Sequence, residues 1–273
     1  MCVKSRIYLT ALLVLVMGCA TLPNAGQFAQ SHGFEKKYLK TTHFSLASQY
    51  RFAKVGEPIT IYIEGDGCAW VNRNQVSSDP TPKNQLVLAL AAIDPASNVA
   101  YLARPGQYPE SGKPDCALTY WTDKRFSEEV VSSMNEAIDQ LAFRVQANKI
   151  NLVGYSGGAA VAVLIASRRN DVISLRTIAG NLDPNALNRY HKVSELKNAL
   201  NPMDVAEKVK NIPQRHFVGS QDKIVPVFIA ESFVKRMGEK NILLVIVVDG
   251  ATHATGWLKQ WKKLLDYPLG EAW

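Results

Sequence analysis

The stretch KINLVGYSGGAAVAVLIAS, Lys149 to Ser167, changes its hydrophobic pattern half-way along. Ile150 to Val153 is an apolar run of strand length, and Gly158 to Arg169 opens with small and aliphatic residues over the length of a helix. Between them stands one serine, Ser156, flanked by glycines. A strand that turns directly into a helix is the unit of a parallel sheet, because a parallel neighbour can be reached only by a crossover. The alternation continues downstream with a strand at Ile173 to Ala179, a strand at Arg215 to Val218, a helix at Val227 to Met237 and a strand at Ile242 to Val248. An amphipathic helix carrying Trp257, Leu258, Trp261, Leu264 and Leu265 closes the series. Upstream, Phe44 to Phe52 and Ile59 to Ile63 read as strands, Leu86 to Ile93 as a buried helix and Asn98 to Ala103 as a strand. A longer helix then follows Ser127, its expected cap, with Val130, Met134, Ile138, Leu141 and Val145 at helical spacing. Val- and Ile-rich strands alternating with helices predict an α/β domain with a mostly parallel central sheet covered by helices on both faces.

At 47% apolar and 20% charged, the 273 residues exclude a disordered chain, a collagen-like chain and a coiled-coil rod. One domain accounts for this length. The net charge of +7 comes from scattered Lys and Arg with no aromatic-basic stripe, so no nucleic-acid partner is indicated.

Lys4 and Arg6 precede the apolar run Ile7 to Met17, which has the length of a signal-peptide core and is too short to span a bilayer. Its end, Val16-Met17-Gly18-Cys19, resembles the lipobox of bacterial lipoproteins. That resemblance implies a signal peptide over residues 1–18, lipid on Cys19 and attachment to a membrane, with Ala20 pointing to the outer membrane and a periplasm-facing domain. Residues 19–43 are polar and lack a sustained period, and so read as a tether before a domain spanning 44–273. In an oxidising compartment the remaining pair, Cys68 and Cys116, is expected to form a disulfide. Neither cysteine has a partner at metal-ligand spacing, so no metal is expected, and the chemistry below needs no cofactor.

Gly154-Tyr155-Ser156-Gly157-Gly158 fits the pattern Gly-x-Ser-x-Gly, set between a strand and a helix. A nucleophile elbow needs that setting: the serine occupies a tight strained turn, and side chains at 154 or 158 would collide with neighbouring backbone. The chain here resembles the α/β-hydrolase superfamily over residues 44–273, and the resemblance implies Ser, then Asp or Glu, then His. Asp222, in Gly219-Ser220-Gln221-Asp222 after the penultimate strand, matches the acid, with Asp183 as the alternative and Asp204 a weaker one. His253, after the last strand, matches the base. The oxyanion hole would combine the Gly157 amide with one from Gly65-Asp66-Gly67, where Glu64 replaces the His that many relatives carry. Such a triad activates serine because imidazole takes its proton and the carboxylate fixes the imidazole's tautomer.

Tyr155 reads as packing for the elbow and Glu64 as a buried support for its loop. Trp70, Tyr108, Tyr120 and Trp121 fit either a pocket lining or loop packing, and residues 181–211 fit either a small lid or a connector. The resemblance implies a serine hydrolase that cleaves an ester, thioester or amide through an acyl-enzyme. An esterase or lipase acting on a small-molecule or lipid ester leads this reading. A peptidase, an acyltransferase and a binding lipoprotein that kept the fold remain open. Cys19→Ser is expected to move the protein from the membrane to the soluble fraction with turnover unchanged; a variant that still sediments with membranes counts against the anchor.

Overall fold

The computed structural model describes residues 25–238 and 243–269, so the expected signal peptide and Cys19 lie outside the described residues. The described residues form ten strands, β1 (Glu35–Lys40), β2 (Ser45–Phe52), β3 (Ile59–Ile63), β4 (Trp70–Asn72), β5 (Gln75–Val76), β6 (Asn98–Leu102), β7 (Ile150–Tyr155), β8 (Val172–Ile178), β9 (Gln214–Gly219) and β10 (Val245–Val248). Eight of them form one sheet in the order β1-β2-β6-β3-β7-β8-β9-β10, and β4 and β5 form a separate hairpin. From β6 to β10 every neighbour is parallel, while β1 and β2 are antiparallel at one edge. The helices are α1 (Ala25–Ser31), α2 (Leu86–Ala92), α3 (Glu128–Val145), α4 (Gly157–Ala166), α5 (Pro184–His191), α6 (Ala206–Val209), α7 (Val227–Met237) and α8 (Trp257–Leu265).

Two apolar layers sandwich the sheet. Ile59, Ile61 and Ile63 of β3 face the layer made with α3, α4, α6 and α7, while Tyr62 points to the layer of α1, α2 and α8. Both faces are therefore dry, which is why these strands carry no polar alternation. In the second layer the Trp261 indole N–H donates to the Tyr62 hydroxyl at 2.9 Å. In β9, His216 is fully buried between Thr177 and Gln214, and burial holds its pKa down at about 3, so the imidazole is neutral.

Four expectations are corrected. Residues 25–40 are not a tether: α1 packs on α2, and β1 pairs with β2 along its whole length. Residues 25–40 thus belong to the folded unit, because Ala29, Phe34 and Leu39 bury their side chains in the two layers. Cys68 and Cys116 are free thiols rather than a disulfide. Cys68 is held at the β3 loop by its N–H on the Pro80 carbonyl, whereas Cys116 packs against the first layer, where burial pushes its thiol up to about 11. Ser127 stands at the N-cap of α3, but its hydroxyl caps no helix amide. The last strand also starts at Val245, three residues later than its pattern suggested.

Truncation to a chain that begins at Thr42 removes buried Phe34 and Leu39 and exposes the β2 edge, a loss of about 3–6 kcal/mol. Urea unfolding of chains starting at residues 25 and 42 checks this, and coincident curves would return residues 25–40 to the status of a tether.

Candidate active site

Ser156 has φ 50° and ψ −120°, a backbone conformation that costs an L-residue energy and persists only where its surroundings enforce it. Here they do. The Ser156 N–H donates to the Ile178 carbonyl at 2.9 Å, and the Ser156 carbonyl accepts from Ala159 at 3.1 Å and Asn181 at 3.0 Å. A Cβ on Gly158 would lie 2.4 Å from the carbonyl oxygens of Ile63 and Glu64, and one on Gly154 would lie 2.5 Å from the Ala159 Cα. Glycine at these two positions lets α4 start directly beneath β3 and lifts Ser156 to the carboxyl edge of the sheet.

Three loops meet there. His253 Nε2 lies 3.0 Å from Ser156 Oγ, and His253 Nδ1 lies 2.9 Å from Asp222 Oδ2. Asp222 is buried, and its other oxygen accepts the N–H groups of Ile224 at 2.8 Å and Val225 at 2.9 Å. These bonds leave Oδ2 aimed at the imidazole. The His253 carbonyl accepts from the Tyr155 hydroxyl and the Trp257 indole, each at 3.0 Å, so Tyr155 anchors the histidine loop as well as packing under the elbow. Asp183, the alternative acid, instead caps α5 by accepting the Ala186 N–H at 3.0 Å.

Gly157 is the first residue of α4, and its N–H has no protein partner among the described residues. The same holds for Asp66, whereas the Gly65 N–H donates to Glu64 Oε1 at 2.8 Å. Gly65 is thereby removed as a candidate donor, because the Glu64 carboxyl folds back onto that amide. Gly157 and Asp66 remain.

Sequence reading missed what holds this loop. Gln107 donates to the Gly65 carbonyl at 2.9 Å, and Arg104 and Arg125 reach the Asp66 carboxylate at 3.4 and 3.3 Å. Arg104 also donates to the Arg125 carbonyl, and both guanidinium groups lie over the Phe126 ring. The Asp66 carboxylate lies against Gly157, where a Cβ would meet its Oδ1 at 2.0 Å. The arginines thus stand beside a carboxylate that would otherwise oppose negative charge at the Gly157 amide. In the sequence, Arg104 marks only the end of β6, and nothing in its spacing points to Asp66. Glu64, fully buried, also accepts from the Tyr101 hydroxyl at 2.9 Å, and burial raises its pKa to about 7.

A groove of about 770 Å³, lined by Asp222, Lys223, Ile224, Thr252 and His253, opens over the imidazole. Among the aromatic candidates, Tyr120 meets Phe44 edge-on, Trp121 is buried with its indole bonded to the Ser77 carbonyl, and Tyr108 packs against Tyr101. Trp70 alone of the four is exposed, on the β4–β5 hairpin. Residues 181–211 form a connector in which α6 joins the core and α5 borders the groove, with His191 Nε2 2.7 Å from the Ile224 carbonyl. Among the described residues no cluster of His, Cys, Asp or Glu could hold a metal ion.

No protein-family model and no curated protein matches the sequence. Solved structures do match. An alpha-beta serine hydrolase homologue from Coxiella burnetii is similar with a TM-score of 0.54 and 15% identity over 84% of this chain and 93% of that chain. Est1E from Butyrivibrio proteoclasticus reaches 0.58 at 16% identity, covering 84% of this chain and 95% of its own. An acylaminoacyl peptidase from Pyrococcus horikoshii reaches 0.60 at 14% identity over 86% of this chain but only 41% of that chain.

Glu64→Gln should separate folding from pH. A carboxyl raised from 4.5 to about 7 on folding contributes stability that is present below pH 4.5 and lost as pH rises through 7, about 3 kcal/mol in all. Glutamine keeps an oxygen for the Gly65 N–H without ionising, so the variant should match wild type near pH 4.5 and exceed it at pH 9. Urea titrations at the two pH values decide; parallel profiles would show that Glu64 does not titrate on folding.

Proposed function

We propose that this chain, which has the α/β-hydrolase fold, is a serine hydrolase of carboxylic esters whose triad is Ser156, His253 and Asp222. The observation that carries the reading is the position of His253, within hydrogen-bond distance of both Ser156 Oγ and Asp222 Oδ2. In this reading His253 Nε2 accepts the hydroxyl proton as Ser156 Oγ attacks the ester carbonyl. Asp222 accepts the Nδ1 proton, holds the required tautomer and stabilises the imidazolium. The tetrahedral oxyanion takes hydrogen bonds from the Gly157 and Asp66 amides, each worth about 3 kcal/mol in the transition state. The imidazolium then protonates the departing alcohol, and water attacks the acyl-enzyme with His253 again as base. Thioesters and amides could enter by the same steps.

The place of action is the bacterial envelope, with the protein exported and held at the outer membrane by lipid on Cys19. Its support is the basic and apolar export segment ending in Gly18-Cys19-Ala20.

Fluorophosphonate labelling of the purified protein tests the chemistry. Wild type should label at Ser156, Ser156→Ala should not label, and His253→Ala should label at least about 100-fold more slowly. On short-chain esters Ser156→Ala should lose at least about 10³-fold in turnover with its unfolding curve unchanged. Folded wild-type protein that neither labels nor turns over an ester panel would leave a binding role for the fold.

A further inference from the structure

Six exposed apolar side chains gather around the groove. Trp70 and Val71, 48% and 64% exposed, project from the β4–β5 hairpin. Tyr190 and Val193 lie at the end of α5, Ile224 lies at the groove wall, and Phe228 opens α7. Direct contacts join these elements into one face. The Arg73 guanidinium donates to the His191 carbonyl at 3.3 Å, His191 Nε2 reaches the Ile224 carbonyl at 2.7 Å, and the Tyr190 and Phe228 rings meet edge-on with centroids 5.6 Å apart. A contiguous apolar face of this kind on a water-soluble surface marks an interaction site.

Two observations identify the occupant. Exposed Arg73, Lys192 and Lys223 stand among these side chains, and the nearby Glu195 pairs with Arg189 at 3.9 Å. Aromatic and aliphatic side chains interleaved with Lys and Arg match a bilayer surface that carries anionic headgroups. The second is the path of the chain. Gly26 and Gln27 border one depression with Gln85 and Tyr108, which precede α2 and follow β6 at the carboxyl edge of the sheet, whereas His32 sits beside Ala92 and Pro95 at the opposite end of α2. The chain therefore enters the domain at the edge that carries Ser156. Five residues separate Cys19 from Ala25, a reach of at most roughly 20 Å.

We propose that this face docks on an anionic phospholipid surface, with Trp70, Val71 and Ile224 entering the interface and Ser156 drawing its ester substrate from the bilayer. The substrate part rests on the hydrolase reading, and the docking part does not.

Trp70 is itself the reporter, since Trp121, Trp257 and Trp261 are at most 5% exposed. The full chain is bound to phosphatidylcholine–phosphatidylglycerol vesicles whose acyl chains are brominated, and the emission of Trp70→Phe is subtracted from that of wild type. The difference spectrum should be blue-shifted and at least about twofold quenched relative to unbrominated vesicles. Water-like, unquenched emission overturns the proposal and turns the face toward a protein partner. In parallel, the double variant Trp70→Ser with Val71→Ser should lose at least about tenfold in turnover of a vesicle-borne ester and stay within about twofold on a short soluble ester. Equal turnover on both substrates overturns the docking; a wild type inactive on every ester fails the hydrolase reading while the quenching still decides the surface.

Discussion

The backbone at Ser156 is the constraint on which the other parts of the site depend. Its left-handed φ of 50° is sustained by bonds from β8 and from the chain entering the 181–211 connector, and by van der Waals contact of Gly158 with the β3 carbonyls. That contact couples two loops: the strand end that presents the serine is packed against the strand end that presents Asp66. A shift of either by a few tenths of an ångström would alter the distance between Ser156 Oγ and the free amides, the quantity to which carbonyl-addition chemistry is most sensitive. The strain is local, and the cost is met by two dry layers that hold β3, β7 and β8 in register.

Electrostatics set the second requirement. A carboxylate beside the amide of Gly157 would oppose an oxyanion, yet Asp66 is kept there by Arg104 and Arg125, whose guanidinium groups flank Phe126. Arg104 is almost fully buried, and burial lowers its pKa, so its charge is tolerable only because Asp66 and the Arg125 carbonyl receive it. Removing Asp66 alone would leave two cations without their acceptor. The loop is thus a neutralised unit in which the side chains hold one another so that a backbone N–H can face the serine.

The sheet and the candidate positions Ser156, Asp222 and His253 were legible in the sequence because each depends on a local pattern. Strands buried on both faces are rich in aliphatic residues without strict polar alternation, and Ser156, Asp222 and His253 each follow such a strand. The sequence preferred Asp222 to Asp183 by its place after the penultimate strand, and the structure adds the physical difference, which lies in which amides their oxygens accept. The edge strand β1, EKKYLK, escaped notice because Leu39 is its one fully buried side chain and the rest face solvent or lie half-covered. Such a strand is specified by its partner's backbone more than by its own period. The cysteine pair misled for a related reason: parity and compartment predict bonding, but they say nothing about whether two loops approach. Arg104, Gln107 and Arg125 act across 38, 42 and 59 residues of sequence and leave no local mark.

Placing the groove, the apolar face and the entry of the chain at one edge has a physical consequence for any lipid-borne substrate. A domain tied by a short lead at the edge opposite its site would have to turn over against the bilayer before each encounter. Were Cys19 the anchor proposed above, the lead at the Ser156 edge and the apolar face would restrict the same rotation, so part of the entropy lost on docking would already be spent by the lead. The β4–β5 hairpin suits that task. It lies outside the main sheet, its residues from Trp70 to Gln75 are exposed, and its Arg73 bond to α5 fixes its height relative to the groove without using the core. Changes in the hairpin should therefore alter which surfaces the protein meets while leaving the geometry of Ser156, His253 and Asp222 intact.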